Sequence, residues 1–431
     1  MRATIACVLL ICGTAAASKA QQSSDTLVAA RQQRALDSLS TAISELRAQI
    51  DTMARAPVQA PASGAYMNVS FVGLTDAGWS TEPNVRSLQV GDHDPHVRGF
   101  SIPNAELALD GAVDPYFKAF ANIVYKLDEE GETGVELEEM YFLTTSLPHN
   151  MQLKAGQFFA EFGRQNPQHP HSWAFADQPL VLNRMFGAEG LRSQGARLSW
   201  LLPSSWYVEA MLTVMNSAGG TTSSFRSEES PEIHGGIPVE RPVSGLSDLL
   251  VVPRIATSFE LTSTQTLLAG VSAAVGPNNS AEDARSAVFG FDLYWKWKSP
   301  TAHQGFPFVS FQTEGLVRRY EAGARPSAEN GATLTSETLR DRGAYAQMLW
   351  GVKPLLVLGL RGEFANGDDG VFESELRTDR YRVTPNVTWY PTEFSKFRLQ
   401  YNYDHRAGIG VDHSVWVQLE FLLGAHAAHK F

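Results

Sequence analysis

The sequence predicts an all-β chain: a transmembrane antiparallel β-barrel of about 16 strands, preceded by a short N-terminal coiled-coil helix. Three observations predict it. Apolar and polar side chains alternate over stretch after stretch, which is the period of a strand with one apolar face. Short, proline-containing turns take turns with longer loops between those stretches. Past the first twenty or so residues no run of about 18 apolar residues exists, so a spanning helix is not expected and strands are left as the way to cross a bilayer.

The start has the build of a secretory signal: Arg2, the apolar run Ile5–Gly13, then small residues ending at Ala20, where cleavage is expected. Cys7 and Cys12 are the only cysteines, so the exported part has no thiol, disulfide or thiolate metal site. Leu10 and Ile11 before Cys12 are not the small pair that lipoprotein processing needs. Composition is that of a folded protein, 43% apolar and 19% charged with a net charge of −11. Over 25–55, Leu36, Leu39, Ile43, Leu46, Ile50 and Met53 are spaced as a heptad seam, either a short coiled coil joining protomers or one amphipathic helix lying on something. Residues 56–65 form a linker rich in Pro and Ala, and 66–431 read as one domain.

Within that domain strands are expected near 66–75, 100–110, 116–127, 135–146, 151–162, 193–202, 206–216, 248–261, 265–276, 284–298, 307–320, 338–351, 354–364, 380–390, 395–405 and 413–423. The last three alternate most cleanly. Tyr381, Val383, Val387 and Trp389 oppose Arg380, Arg382, Thr384, Asn386 and Thr388; Phe397, Leu399 and Tyr401 oppose Lys396, Arg398 and Gln400; Val415, Val417 and Leu419 oppose Ser414, Trp416 and Gln418. Two strands break the pattern: Glu139 falls among Val135, Leu137, Tyr141 and Leu143, and Gln157 among Met151, Leu153 and Ala155, which a bulge or a face buried between protomers would explain. Short turns such as Asp114-Pro115, Ser299-Pro300, Lys353-Pro354 and Pro391-Thr392 alternate with longer stretches such as Thr75–Gly99, Gly163–Arg192, Ser217–Ser247 and Arg406–Asp412. That segregation is what an outer-membrane barrel shows. Trp200, Trp206, Trp295, Trp297, Trp389 and Tyr390 fall near the short-turn ends, where a membrane interface would take their rings.

On the faces assigned inward, basic residues outnumber acidic ones modestly, opposite in sign to the whole chain. Arg197, Arg361, Arg380, Arg382, Lys396 and Arg398 are therefore candidate pore-lining groups for anions. The third long loop, Gly163–Arg192, is too apolar to float free; folded into the barrel mouth it would bury Trp173, Phe175, Leu180, Val181, Leu182, Met185 and Phe186 and bring Arg164, Arg184 and Arg192 into the pore. His93, His96, His169 and His171 are a competing signal, a possible Zn²⁺ site on external loops, and Asp128-Glu-Glu-Gly-Glu-Thr a possible Ca²⁺ site without EF-hand spacing. Otherwise no cofactor is expected, no His pair sits in HExxH context, and no enzyme or nucleic-acid partner is indicated.

A polar-in, apolar-out strand followed by the terminal Phe431 resembles the last strand of bacterial outer-membrane barrels. The segment Lys154-Ala-Gly-Gln-Phe-Phe-Ala-Glu-Phe-Gly-Arg164 is similar to the Gly-Gln-Phe-rich strand of the phosphate-selective porin O/P family. That resemblance implies a homotrimeric outer-membrane porin in contact with lipid and lipopolysaccharide, a third loop narrowing the pore, and passive diffusion of small hydrophilic solutes, anions preferred. Two other readings stand beside it. One is a metal or metal-chelate uptake channel using the loop histidines; the other is a soluble β-sandwich adhesin.

Overall fold

The computed structural model describes residues 66–424 apart from 89, 128–131 and 229. The signal segment, the heptad seam, the Pro/Ala linker, most of the acidic 128–133 stretch and Phe431 lie outside the described residues. Sixteen strands run β1 Tyr66–Ser80, β2 Gly99–Ala112, β3 Phe117–Leu127, β4 Thr133–Thr144, β5 Met151–Phe159, β6 Arg192–Leu201, β7 Tyr207–Asn216, β8 Leu249–Thr262, β9 Gln265–Pro277, β10 Arg285–His303, β11 Phe306–Ala322, β12 Glu337–Lys353, β13 Leu356–Gly367, β14 Arg380–Thr392, β15 Ser395–Arg406 and β16 Gly410–Gly424. Each pairs antiparallel with its chain neighbours, and β1 pairs with β16 from Ser70↔Gly424 to Ser80↔Ser414, so the sheet closes with no free edge. A soluble sandwich has no such closure.

Burial is inverted relative to a water-soluble protein. Along β14 every second residue from Arg380 to Thr388 is buried and those between are exposed. Arg382 keeps 3% of its surface while Leu399 on the neighbouring strand keeps 52%. Phe289, Phe291, Val317, Leu360, Val387 and Val417 are likewise exposed on the outer wall. A continuous apolar exterior of this extent belongs against lipid.

The two irregular strands have one cause. β3 and β4 lose register between Asn122 and Ile123, which pair with Glu139 and Leu137, so Glu138 is a bulged extra residue. Both Glu138 and Glu139 are buried, and Leu137 and Met140 on either side face out. The carboxylates therefore never meet hydrocarbon. β4 meets β5 only over Met140–Leu143, and past the end of that pairing the Gln157 amide donates to the carbonyls of Leu137 (2.5 Å) and Glu138 (3.2 Å).

Several boundaries differ from expectation. β10 continues through Ser299-Pro300 to His303, and the reversal falls at Gln304-Gly305, both with positive φ. Arg406 pairs with Gly410, so the expected longer loop 406–412 is a tight turn. Tyr390 is not in the outer girdle; it packs inward with Phe306, Phe308 and Val357 on the floor of the lumen at the short-turn end.

Candidate pore constriction

The third loop, residues 160–191, lies inside the barrel. Gly163 starts its inward course with φ +63, where its amide donates to Ser272 Oγ at 3.1 Å and an added Cβ would stand 2.1 Å from Glu314 Oε2. Only glycine suits that position. A seven-residue helix, α1 (Leu180–Phe186), has all of its side chains buried. Val181, Leu182, Met185 and Phe186 join Phe158, Phe162, Met215, Phe225, Leu250, Val288, Leu316 and Tyr345 in an apolar cluster within the lumen. The loop's grease is thus sheltered by the barrel it narrows.

Charge decides where each end of the loop lies. One wall, β2 and β4, presents Glu106, Glu138 and Glu139, and the loop sets histidines on it. His169 stands with Nδ1 3.0 Å from Glu138 Oε2 and Nε2 2.8 Å from Glu139 Oε2. His171 Nδ1 is 3.2 Å from Glu106 Oε2, and the two rings stack at 5.7 Å. From the first loop His93 Nε2 reaches Glu138 Oε1 at 3.5 Å. Burial works against charging these rings, but Glu138 outweighs it, pushing His93 up to about 9 and His169 well above the usual histidine value.

The opposite wall, β11 to β15, is basic. Arg361 forks between Glu363 Oε1 (2.9 Å) and Asp177 of the loop. Arg382 takes Asp177 Oδ2 (3.1 Å), Glu363 Oε1 (2.8 Å) and the Gln178 carbonyl (3.0 Å). Arg398 donates to the Trp173 carbonyl (2.7 Å), Lys396 to the His171 carbonyl (2.7 Å) and Asn386 Nδ2 to the Ala174 carbonyl (2.8 Å). Glu363 Oε2 in turn accepts from the Leu180 amide at 2.7 Å. The ladder expected to line an open pore mainly staples the third loop to the wall.

The other expected basic residues are scattered. Arg197 pairs with Glu161 at 2.6 Å. Arg192 joins Glu136 and Glu189, with Lys126 bridging the same two carboxylates and Asp92. Arg380 is held by Asp404, and Arg184 lies in α1 close to Asp341. Arg164 lies over the Tyr294 ring at 4.1 Å, and its Nε donates to Gln312 Oε1 at 3.2 Å. Lys296, over Phe308 at 5.0 Å, feels the charges of Lys298 and Arg164. Among the described residues none of these three cations has a carboxylate within ion-pair distance.

The acidic partners were the part that alternation did not show: Asp76, Glu106, Glu139, Asp341 and Asp412 are all buried inside the barrel wall. With them counted, the basic excess of the inward faces falls to near parity. Asp177 lies on an irregular loop and carried no periodic signal at all. Of the four candidate metal residues, His93, His169 and His171 converge, whereas the His96 ring instead bonds the Asp94 carbonyl at 2.9 Å. Both His169 nitrogens already face carboxylates, and among the described residues no set of His, Cys, Asp and Glu stands in metal-holding geometry.

No family model matches the chain. By backbone it is similar to the outer membrane channel DcaP of Acinetobacter baumannii (12% identity, 84% of this chain and 98% of that one, TM-score 0.55). It is also similar to the anion-selective porin of Comamonas acidovorans (6% identity, 83% and 100%, TM-score 0.53). At those identities the likeness is one of fold, the fold of outer-membrane porins. By sequence it is 32% identical over 357 residues to an uncharacterized protein of Aquifex aeolicus (strain VF5), covering 78% of this chain and 70% of that protein. The chain therefore belongs to one family with this Aquifex protein, and it carries the porin fold.

Proposed function

We propose that the protein is an outer-membrane channel for passive diffusion of small hydrophilic solutes, with a preference for anions, phosphate-like ones included. The observation that carries this reading is the trio Arg164, Lys296 and Lys298, cations facing the lumen with no carboxylate in ion-pair reach among the described residues. Most other arginines of the lumen stand beside a carboxylate or are tied to loop carbonyls, so these three contribute strongly to the field a permeating ion meets. The neighbour described as anion-selective shares the fold, which is compatible with the reading and no more. Assembly as a homotrimer is part of it: the outer wall of β1 to β4 has a groove of about 500 Å³, floored by the small residues Gly111, Ala119 and Ala121 and flanked by Met67, Leu109 and Met140, where a second apolar wall can approach closely.

The test is the reversal potential of single channels in a salt gradient. The wild type is expected to favour anions, and Arg164→Gln/Lys296→Gln/Lys298→Gln to move the potential toward cation preference. Cation preference in the wild type, or no movement in the triple variant, removes the reading.

A further inference from the structure

Four arginines stand on the outer wall of the barrel, at the long-loop ends of β10, β11 and β12. Burial alternates so that odd-numbered residues face out on this part of β10 and β11, and even-numbered ones on β12. Arg285, Arg319, Arg340 and Arg342 all take outward positions, and all are exposed. Arg319 and Arg340 pair directly across β11 and β12, and Arg342 pairs with Val317, the next outward position toward the middle of the wall. Like charges set directly opposite on one face of a sheet repel. Immediately below them the apolar belt begins, with Phe289, Val317 and Phe364 exposed on neighbouring strands.

Protein carboxylates answer only part of this charge. Glu321 Oε1 lies 3.1 Å from Arg319 Nη2, and Asp368 Oδ2 lies 4.0 Å from Arg340 Nη1, the outer limit of an ion pair. Arg285 reaches the Ser247 carbonyl at 3.5 Å. Arg342 has no carboxylate in ion-pair reach among the described residues, and its partner across β13 is Asn366. An arginine on a lipid-facing wall is cheap only at headgroup height, and at the long-loop end of an outer-membrane barrel that layer is the outer leaflet. The patch is local. At the same end β14 and β15 present Tyr381 stacked on His405, ring centres 4.8 Å apart, and no arginine.

We infer that this patch docks a phosphorylated lipid of the outer leaflet, its phosphates on Arg319, Arg340 and Arg342 and its acyl chains along Phe289, Val317 and Phe364. The planar fork of arginine takes two phosphate oxygens at once. A phosphate between Arg319 and Arg340 turns their repulsion into shared attraction, and Arg342 adds a cation on the side of the tails. A lipid anchor with two phosphates above several acyl chains, the build of lipid A in lipopolysaccharide, matches both the charge and the belt beneath it. β10 to β12 lie across the closed ring from the groove of β1 to β4, so assembly through that groove leaves the patch facing lipid. The inference rests on the outer-membrane placement in the proposed function and not on which ion the lumen prefers, since these arginines lie outside the wall.

Native mass spectrometry of the purified full chain in mixed micelles tests it, with diphosphoryl lipid A and the same lipid stripped of both phosphates as probes. The wild type is expected to hold diphosphoryl lipid A about a hundredfold more tightly, the worth of three arginines at a charged lipid surface. Arg319→Gln/Arg340→Gln/Arg342→Gln is expected to erase that preference, and Arg319→Lys/Arg340→Lys/Arg342→Lys to keep part of it. Arg98→Gln should leave it intact, because Arg98 lies elsewhere on the rim, over Trp79 at 5.3 Å. Heat-modifiable gel migration shows whether each variant keeps its barrel, and the lysine variant decides the matter if the glutamine variant does not fold. Equal binding of the two lipids by the wild type, a preference unchanged in the glutamine variant, or one lost equally in Arg98→Gln overturns the patch. A cation-preferring reversal potential with the lipid preference intact sinks the selectivity reading and leaves the patch standing; anion preference without the lipid preference does the reverse.

Discussion

Asp177→Ala should free the third loop from the basic wall without opening the barrel. Asp177 is buried and stands between Arg361 and Arg382, with Asn402 Nδ2 donating to it at 3.1 Å. Removing one partner of a buried pair costs roughly 3–5 kcal/mol, because the guanidinium is left uncompensated. Here both arginines keep Glu363, at 2.9 and 2.8 Å, and each keeps a loop carbonyl, so the lower end applies. About 3 kcal/mol is roughly a hundredfold shift from docked toward undocked loop. None of the strand pairings passes through Asp177, so heat-modifiable migration should be unchanged. Single-channel recording should show larger and noisier conductance, and limited proteolysis should cut within 160–191. Wild-type conductance with a protease-resistant loop in Asp177→Ala would mean that apolar packing alone holds the loop, and the stapling role of Arg361 and Arg382 would fall.

Gly163→Ala should weaken docking of the same loop from its other end, by about 1–3 kcal/mol from the strained φ alone, and a larger effect is expected since Glu314 must also move; proteolysis reads it. Raising the pH should loosen the histidine end. His93 is raised from 6.5 to about 9, so its contribution is full below 6.5 and is lost as pH climbs through about 9; conductance steady between pH 6 and 7 and altered at pH 10 is expected, with His93→Gln showing no such step. Light scattering of the detergent-corrected complex should give three protomers for the wild type and fewer for Ala121→Trp, whose indole would fill the outer groove.

The barrel was legible because its rule is local. A strand that divides lipid from water must alternate, and in β14, β15 and β16 burial does so from Arg380 to Thr388, Lys396 to Asp404 and Ser414 to Glu420, with Trp416 the one apolar side chain on these inward faces. Where one residue breaks the period, the reading by parity misassigns everything after it. Val135 and Leu137 face out with even spacing, the bulge adds Glu138, and from Met140 onward the outward positions are even-numbered. A single unpaired residue therefore hid Glu139 among apolar neighbours, and the polar Gln157 opposite looked misplaced although it donates to the Leu137 and Glu138 carbonyls.

The constriction was legible only as hydrophobic content. Trp173 to Phe186 had to be buried somewhere, and the lumen is the available shelter, but nothing periodic says which wall a loop residue meets. What settles that is pairing across long sequence separations: His169 with Glu139 on one wall, Asp177 with Arg361 and Arg382 on the other. Charges of one sign on a strand cannot disclose partners on a loop some two hundred positions away, so a count of inward arginines overstates the free positive charge. The same accounting isolates the residues where charge does remain. Among the described residues Arg164, Lys296 and Lys298 have no carboxylate in ion-pair reach, and Nε and Nη1 of Arg184 make no hydrogen bond. Selectivity in such a lumen depends on those exceptions, since every paired arginine presents an anion with a carboxylate beside it. Substituting a paired arginine such as Arg382 should therefore change gating noise, and substituting Lys296 should change ion preference. If Arg382→Gln shifted the reversal potential as far as Lys296→Gln does, with the loop still docked, the division between stapling and selecting cations would not hold.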